Sequence, residues 1–368
     1  MSTKRDKFSA KDKHYMKLAL SLASVRKGLT GDNPSVGCVI TKKDEIISIG
    51  QTGFNGRPHA EYNAIKNSNE KLNGSKMYVT LEPCNHYGKT PPCTNSIIKS
   101  KISELIYSME DIDNKVKGKS FDILSNSNIK VKKGLLKKEA KNLYNSYIKN
   151  RKMKLPFVTA KIAVSKNGLI YSRGIKRITT ESSNKLTHYL RHKNDSIMIS
   201  SKTLNTDNPK LNCRLKGYEK FSPIRIILDK NLTIKLNSYI FKSVKNKNTI
   251  IFYNSSNHQI IKTLKKKGII LIKFHLDNKG LFDLKKVLSK LFNLGVRNLL
   301  IEGGDKITKN LIKNKLIDIF YLFESSKVLT KGKIIQFFTS YEILGKKYKK
   351  KYRFASNLAK DKITIYKR

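Results

Sequence analysis

The spacing of apolar residues changes near residue 150 and divides the chain there. Tyr15, Leu18, Ala19, Leu22 and Ala23 recur at helical intervals, so residues 12 to 27 read as an amphipathic helix that stops near Gly28. Gly31-Asp32-Asn33-Pro34 is a turn, and Val36 to Thr41 and Glu45 to Gly50 read as strands of a hairpin joined by Lys42-Lys43-Asp44. A helix follows from Pro58 to Lys66, with proline in its first turn, where a missing N–H is harmless. Met77 to Leu81 and Glu104 to Met109 read as strands, Thr94 to Lys99 as a helix, and Glu139 to Lys152 as a basic helix closing a first domain, residues 1–150. Beyond it, Phe157 to Val164, Ser196 to Ser200, Ile224 to Leu228, Thr249 to Tyr253, Ile269 to Phe274 and Asn298 to Ile301 read as strands. Glu181 to Arg191, Gln259 to Lys267, Asp283 to Leu294 and Lys306 to Leu316 read as the helices between them. Such alternation predicts an α/β domain, residues 151–368, built on a mostly parallel sheet with covered faces.

Composition narrows the class. A chain of 368 residues has the length of two domains, each able to bury a core. No apolar run approaches the roughly 20 residues that span a bilayer, and Met1 to Ala10 is charged without an apolar signal core, so a soluble, cytoplasmic protein with no membrane partner is expected. Four cysteines in this length do not make a disulfide framework; core packing and chance account for Cys38 and Cys213. The net charge of +49, from 76 basic and 27 acidic residues, is the first hint of a nucleic-acid partner. Lysine is spread along the whole chain, however, together with abundant Asn and Ile. Codon bias toward A and T produces that mixture, so no dedicated nucleic-acid partner is expected. Such a charge still attracts phosphorylated small molecules, in a salt-dependent way.

The candidate chemistry lies in His59-Ala60-Glu61, Pro83-Cys84 and Cys93. One His and two Cys stop one ligand short of a closed tetrahedral shell, which leaves zinc a position for water, and Glu61 is placed to move protons. His-x-Glu followed by Pro-Cys-x-x-Cys is the signature of zinc nucleobase deaminases, but here eight residues separate the cysteines. A longer loop can carry groups around a small ligand, and this one contains His86, Gly88, Lys89 and Thr90. His86 as a fourth ligand would close the site to water, so a substrate contact is the better reading. Both thiolates are expected at loop-to-helix junctions, where helix ends favour the ionised sulfur. Asn33 offers a donor and an acceptor to a pyrimidine edge, and equally suits a plain Asn-Pro turn. In the second half Gly-x-Gly-x-x-Gly is absent; Ile301-Glu302-Gly303-Gly304-Asp305 joins a strand end to a helix start, as a phosphate-binding turn or as a plain one.

Asn33-Pro34-Ser35-Val36-Gly37, His59-Ala60-Glu61 and the run from Leu81 through Gly88-Lys89-Thr90-Pro91-Pro92-Cys93 resemble the bifunctional riboflavin-biosynthesis deaminase/reductase family. The resemblance implies that His59, Cys84 and Cys93 hold zinc, that Glu61 is the proton shuttle, and that Asn33, His86 and Lys89 surround a phosphoribosylated pyrimidine. Thr52 departs from the family's His. In the second half Pro156-Phe157-Val158, Lys161, Ser165, Thr203, Asp207, Pro209, Leu211, Arg214, Pro223-Ile224-Arg225-Ile226 and Glu302-Gly303-Gly304 resemble the reductase half. That implies a cytidine-deaminase-like domain followed by a dihydrofolate-reductase-like one. NADPH would contact Ala163, Thr203, Asp207, Gly304, Asp305, Lys306, Ile307, Thr308, Lys309 and Asn310, and the substrate Lys161, Arg191, Leu211, Arg214 and Glu302. Arg191 and Arg214 make sense as forked phosphate clamps, or as solvated surface arginines. Three positions depart from the family pattern: Asn167 for Asp, Arg177 for Trp and Lys230 for Ser.

The implied function is zinc-dependent hydrolytic deamination of 2,5-diamino-6-(5-phosphoribosylamino)pyrimidin-4(3H)-one, then NADPH-dependent reduction of its ribosyl group to ribityl. A deaminase with a scaffold second domain, a nucleic-acid base deaminase and a closed zinc module are the alternatives, and a homo-oligomer stays open.

Overall fold

Helix α1 (Ala10–Arg26) starts two residues before its apolar pattern, because Ser9 and Asp12 form a capping box. The Ser9 hydroxyl accepts from the Asp12 N–H at 3.0 Å and the Asp12 carboxylate from the Ser9 N–H at 2.8 Å. This computed structural model describes residues 8–172, 177–244, 248–329, 335–354 and 360–368; residues 1–7 of the charged opening stretch lie outside them. The chain forms two units, Met1–Lys154 and Leu155–Arg368.

In the first unit β1 (Gly37–Lys42) and β2 (Glu45–Gln51) are the expected hairpin. α2 (Ala60–Lys66), β3 (Lys76–Val79), α3 (Cys93–Lys99), β4 (Glu104–Tyr107), α4 (Lys119–Ser125), β5 (Lys130–Lys133), α5 (Lys137–Leu143) and α6 (Asn145–Met153) follow. The sheet runs β2-β1-β3-β4-β5, antiparallel from β2 to β3 and parallel from β3 to β5. α4 and β5 are additional to the expected elements; the Lys-Val-Lys-Lys of β5 has a single apolar residue. In place of the one basic helix expected over Glu139 to Lys152, the chain breaks at Tyr144, whose hydroxyl meets that of Thr80 at 2.6 Å inside the core. α6 continues to Met153, past residue 150.

Two glycines bring helices against this sheet. A Cβ on Gly37 would lie 2.0 Å from the Ala19 carbonyl oxygen on α1. One on Gly50 would lie 2.2 Å from that of Ala60 and 2.5 Å from the Ala64 nitrogen on α2. Ala19, Ala60 and Ala64 are fully buried in these contacts. α2 begins after an extended His59 (φ −71°, ψ 158°) that serves as its N-cap position, so Pro58 precedes the helix and is not in its first turn. Glu82 braces the other side of the site. Its carboxylate accepts from the N–H groups of Asp111 (3.2 Å), Gly118 (3.1 Å) and Ser120 (3.2 Å), and the Ser120 hydroxyl donates to the Pro83 carbonyl at 2.6 Å.

The second unit contains β6 (Phe157–Val164), β7 (Leu169–Ser172), α7 (Glu181–His192), β8 (Ser196–Ser200), α8 (Ser201–Asp207), β9 (Ile224–Leu228), α9 (Tyr239–Lys242), β10 (Thr249–Tyr253), α10 (His258–Lys266), β11 (Ile270–Lys273) and α11 (Leu284–Asn293). It continues with β12 (Asn298–Ile301), α12 (Asp305–Lys313), β13 (Ile319–Glu324), β14 (Ile335–Phe337), α13 (Tyr341–Lys347), β15 (Lys350–Arg353) and β16 (Lys362–Lys367). Its main sheet runs β11-β10-β9-β8-β12-β6-β13-β16-β15, parallel from β11 through β13 and antiparallel beyond, while β7 and β14 pair separately. The six expected strands are all in the parallel part. Both faces are buried: Ile226 and Leu228 of β9, with Leu299 and Ile301 of β12, enter one apolar core, and Ile227 and Leu300 enter the other.

Asn167 has a local task. Its amide nitrogen donates to the Leu329 carbonyl (2.8 Å) and its oxygen accepts from the Leu329 N–H (3.1 Å) and the Ser165 hydroxyl (2.7 Å). An ionised Asp has no proton for the first of these bonds. No helix among the described residues is long and apolar enough to cross a membrane.

Gly50→Ala should destabilise the first unit by about 3 kcal/mol, since the added methyl meets backbone and not a movable side chain; urea unfolding measures this. Glu82→Ala strands three backbone donors and should lower stability by about 2 kcal/mol or more and weaken zinc retention during dialysis.

Candidate active sites

The N-cap position of α2, the loop after β3 and the start of α3 deliver three ligands to one point. The donor atoms of His59, Cys84 and Cys93 all lie within 4.8 Å of one another, and they are the metal-capable group of this kind among the described residues. His59 Nδ1 is 3.3 Å from Cys93 Sγ and 3.5 Å from Cys84 Sγ. Tetrahedral zinc, with bonds of about 2.1 Å to nitrogen and 2.3 Å to sulfur, needs an N···S separation of roughly 3.6 Å. The cluster fits zinc in donor chemistry and in size. Three protein ligands leave one position open, and His86 is exposed on the cavity wall, outside the cluster. Cys93 opens α3 as expected, but Cys84 sits in an irregular loop, where the Cys93 N–H approaches its sulfur at 3.3 Å.

Glu61, in the first turn of α2, is buried and lines the same cavity. The extended backbone at His59 lets both side chains face it while Ala60 packs on the sheet. Burial pushes the Glu61 carboxyl up to about 7, against the pull of His59. A hydrogen bond from Cys93 holds the Cys84 thiol down to about 4, and the same bond, with burial, pushes the Cys93 thiol up. The hydrogen bond to Cys84 raises His59.

Asn33 lines the cavity and one of its amide N–H groups donates to the Gly56 carbonyl at 3.0 Å, which leaves the second N–H and the oxygen for a ligand. Lys89 is exposed and does not line the cavity. The cations that do face it are Arg57 and Arg151. Arg57 donates to the Thr90 hydroxyl; Arg151 lies 5.2 Å above the Tyr147 ring and 3.7 Å from Asp113. Tyr147 in turn donates to Asp111 at 2.9 Å. Arg57 was open to detection, two residues before His59, and Asp111 and Asp113 follow a strand end. Nothing local marks Tyr147 and Arg151, which return to the cavity on α6.

In the second unit Lys161, Ala163, Thr203, Asp207, Glu302 and Gly304 line one compartment. Gly304, Asp305, Lys306, Ile307 and Asn310 line a second, which shares Thr203 and Gly304 with the first. The turn before α12 is closely wound: a Cβ on Gly303 would lie 2.7 Å from Ile307 Cγ2. This bare turn at a helix start suits the phosphates of NADPH. Other expected contacts are placed differently. Asp305 lines the cleft, but its carboxylate accepts from the Thr339 N–H (3.0 Å), the Thr339 hydroxyl (2.5 Å) and the Ser340 hydroxyl (2.8 Å). Thr308 points into the core and the Lys309 amine meets Thr339 Oγ1 at 3.2 Å; neither lines a compartment.

Arg191 is not a free phosphate clamp. It donates to both Glu302 oxygens (2.7 and 2.8 Å) and to the Asn212 carbonyl (3.1 Å). Burial pushes the Glu302 carboxyl up, but Arg191 outweighs it and, with Lys161, holds Glu302 below the usual range. Burial likewise lowers Lys161, with Glu302 opposing. Leu211 is buried in the apolar core at φ 53°, and Arg214 donates to the Asn212 side chain at 2.7 Å; neither lines the two compartments.

Residues 9–109 match the family model of the cytidine and deoxycytidylate deaminase zinc-binding region, and residues 156–353 that of the RibD C-terminal domain. The riboflavin biosynthesis protein RibD of Aquifex aeolicus (strain VF5) is 36% identical over 323 residues, which cover 87% of this chain and 88% of that one. RibD of Escherichia coli (strain K12) is 29% identical over 336 residues, 86% and 88% of the two chains. Among solved structures, Acinetobacter baumannii RibD, form 2, superposes with a TM-score of 0.82 at 26% identity over 97% of this chain and 98% of its own. The diaminohydroxyphosphoribosylaminopyrimidine deaminase/5-amino-6-(5-phosphoribosylamino)uracil reductase of Thermotoga maritima superposes at 0.80 with 29% identity and the same coverage. With matches across both units, a His-Cys-Cys zinc cluster in the first and an NADPH-type cleft in the second, the chain belongs to the RibD family of bifunctional deaminase/reductases of riboflavin biosynthesis.

Proposed function

We propose that the first unit deaminates 2,5-diamino-6-(5-phosphoribosylamino)pyrimidin-4(3H)-one and that the second reduces the ribosyl group of the resulting uracil to ribityl. The observation that carries this reading is a buried Glu61 facing the same cavity as the three-ligand cluster of His59, Cys84 and Cys93. Zinc held there supplies Lewis acidity that makes water a nucleophile near neutral pH. Glu61, buried with its carboxyl raised to about 7, is placed to carry one proton of the attacking water to the ring nitrogen and then the other to the departing amine. Asn33 offers its carbonyl oxygen to a pyrimidine N–H, His86 borders the open side, and Arg57 and Arg151 suit the substrate phosphate.

In the second unit NADPH supplies hydride to the opened sugar. Ala163 leaves room for a flat ring, and Thr203, Asp207 and the Gly303-Gly304 turn lie along the cofactor's path. Lys161, more acidic than an ordinary lysine because it is buried, donates a proton from Nζ to the ring oxygen as the sugar C–O bond breaks, and the opened carbon is then the one that accepts hydride. The Arg191 contacts fix Glu302 in place beside it. We read Arg191 as positioning Glu302 and not as touching phosphate. An enzyme drawing on NADPH works in the cytoplasm, where that cofactor is maintained.

Glu61→Gln should keep its zinc and lose deamination by about 10²-fold or more, while NADPH oxidation with supplied deaminated substrate stays normal. Metal analysis beside the two separate half-reactions tests this, and loss of metal from the variant would overturn the role given to Glu61. Stripping zinc with a chelator should abolish deamination, restored by added zinc, and leave NADPH oxidation intact.

A further inference from the structure

The reductase cleft has a second, larger half that the chemistry above does not use. The compartment holding Lys161, Ala163 and Glu302 is about 180 Å³; the adjoining one is about 520 Å³. They meet at Thr203, Gly304 and Gln336, which line both. The larger has an apolar wall, including Leu228, Phe282 and Ile307, and three lysines, Lys202, Lys230 and Lys306.

Strand order gives the span of this cleft. β6, β12, β8 and β9 are successive parallel neighbours, so their carboxyl ends share one edge. At about 4.8 Å per strand, Lys230, just past β9, stands roughly 14 Å across the sheet from Ala163 on β6. A dinucleotide with its nicotinamide beside Ala163 crosses the Gly303-Gly304 turn with its pyrophosphate. It reaches Lys230 only with its adenosine end.

Charge at that end is uncompensated. Asp305 is the carboxylate lining the larger compartment, and its oxygens are committed to Thr339 and Ser340. Among the described residues no ion pair joins Lys202, Lys230 or Lys306 to a carboxylate. The Lys230 amine donates to the Gly280 carbonyl at 3.1 Å, which holds it in place and leaves two more N–H groups.

Resting on the reductase reading, we propose that Lys230, supported by Lys202 and Lys306, binds the 2′-phosphate of NADPH and sets this chain's preference for NADPH over NADH. A lysine is suited to this as a point charge on an anion, and an unphosphorylated ribose offers it no charge to engage.

The test is equilibrium binding of NADPH, NADH, 2′,5′-ADP and 5′-AMP to the full chain, as wild type, Lys230→Ser and Lys230→Arg. Lys230→Ser should weaken NADPH and 2′,5′-ADP by roughly tenfold, leave NADH and 5′-AMP unchanged, and flatten the salt dependence of 2′,5′-ADP binding. Lys230→Arg should retain the preference. Equal losses for NADPH and NADH would overturn the inference, because Lys230 would then serve the pyrophosphate or only the Gly280 loop. So would a wild type that binds both dinucleotides equally. A wild type that binds neither would overturn the reductase reading itself.

Discussion

Parallel strand pairing is the constraint on which both sites depend. Strands that run the same way leave the sheet at the same edge, and the loops that follow them converge there whatever their sequences. In the first unit β3 and β4 bring Leu81 to Cys84 and Asp111 to Asp113 to one edge, and the antiparallel β1 and β2 return Asn33 and Thr52 to it. In the second, β6, β8, β9 and β12 line up Lys161, Thr203, Lys230 and Glu302. Glycine then sets how near a helix comes. With Gly50 under Ala60 and Ala64, α2 lies against the sheet and His59 and Glu61 hang over its edge.

What the sequence revealed follows from how local each signal was. His59, Glu61, Cys84 and Cys93 were legible because ligand type and spacing are written within short stretches. The central strands were legible as apolar runs buried on both faces. Lysine hid the edges: β5 and β15 read Lys-Val-Lys-Lys and Lys-Lys-Tyr-Arg, tolerated because an edge strand exposes much of its length. β13, Ile319–Glu324, carried an apolar signal that was passed over. The Arg191–Glu302 pair joins residues 111 apart, and no local pattern could announce that the expected phosphate clamp already had a carboxylate. The return of Arg151 to the zinc cavity was hidden for the same reason.

The departures from the family pattern separate once the side chains have surroundings. Thr52 accepts from the Val36 N–H at 2.8 Å, so a short hydroxyl joins the end of β2 to the start of β1. Asn167 uses donor and acceptor on one backbone unit, Leu329, and its change from Asp is a matter of turn geometry. Lys230 adds charge to a cleft wall. Nothing in the structure explains Arg177.

The far wall of the zinc cavity has a further consequence, for the order in which the first unit is made. Synthesis proceeds from the N-terminus, and domains fold as they emerge. The metal ligands are all present once Cys93 has appeared, and the last strand of the sheet once Lys133 has. Tyr147 and Arg151 come later, on α6. In the order of synthesis all three metal ligands therefore precede the two side chains that close the substrate side of the cavity, and because Tyr144 and Tyr147 also belong to the unit's apolar core, that side is completed only as the core itself is.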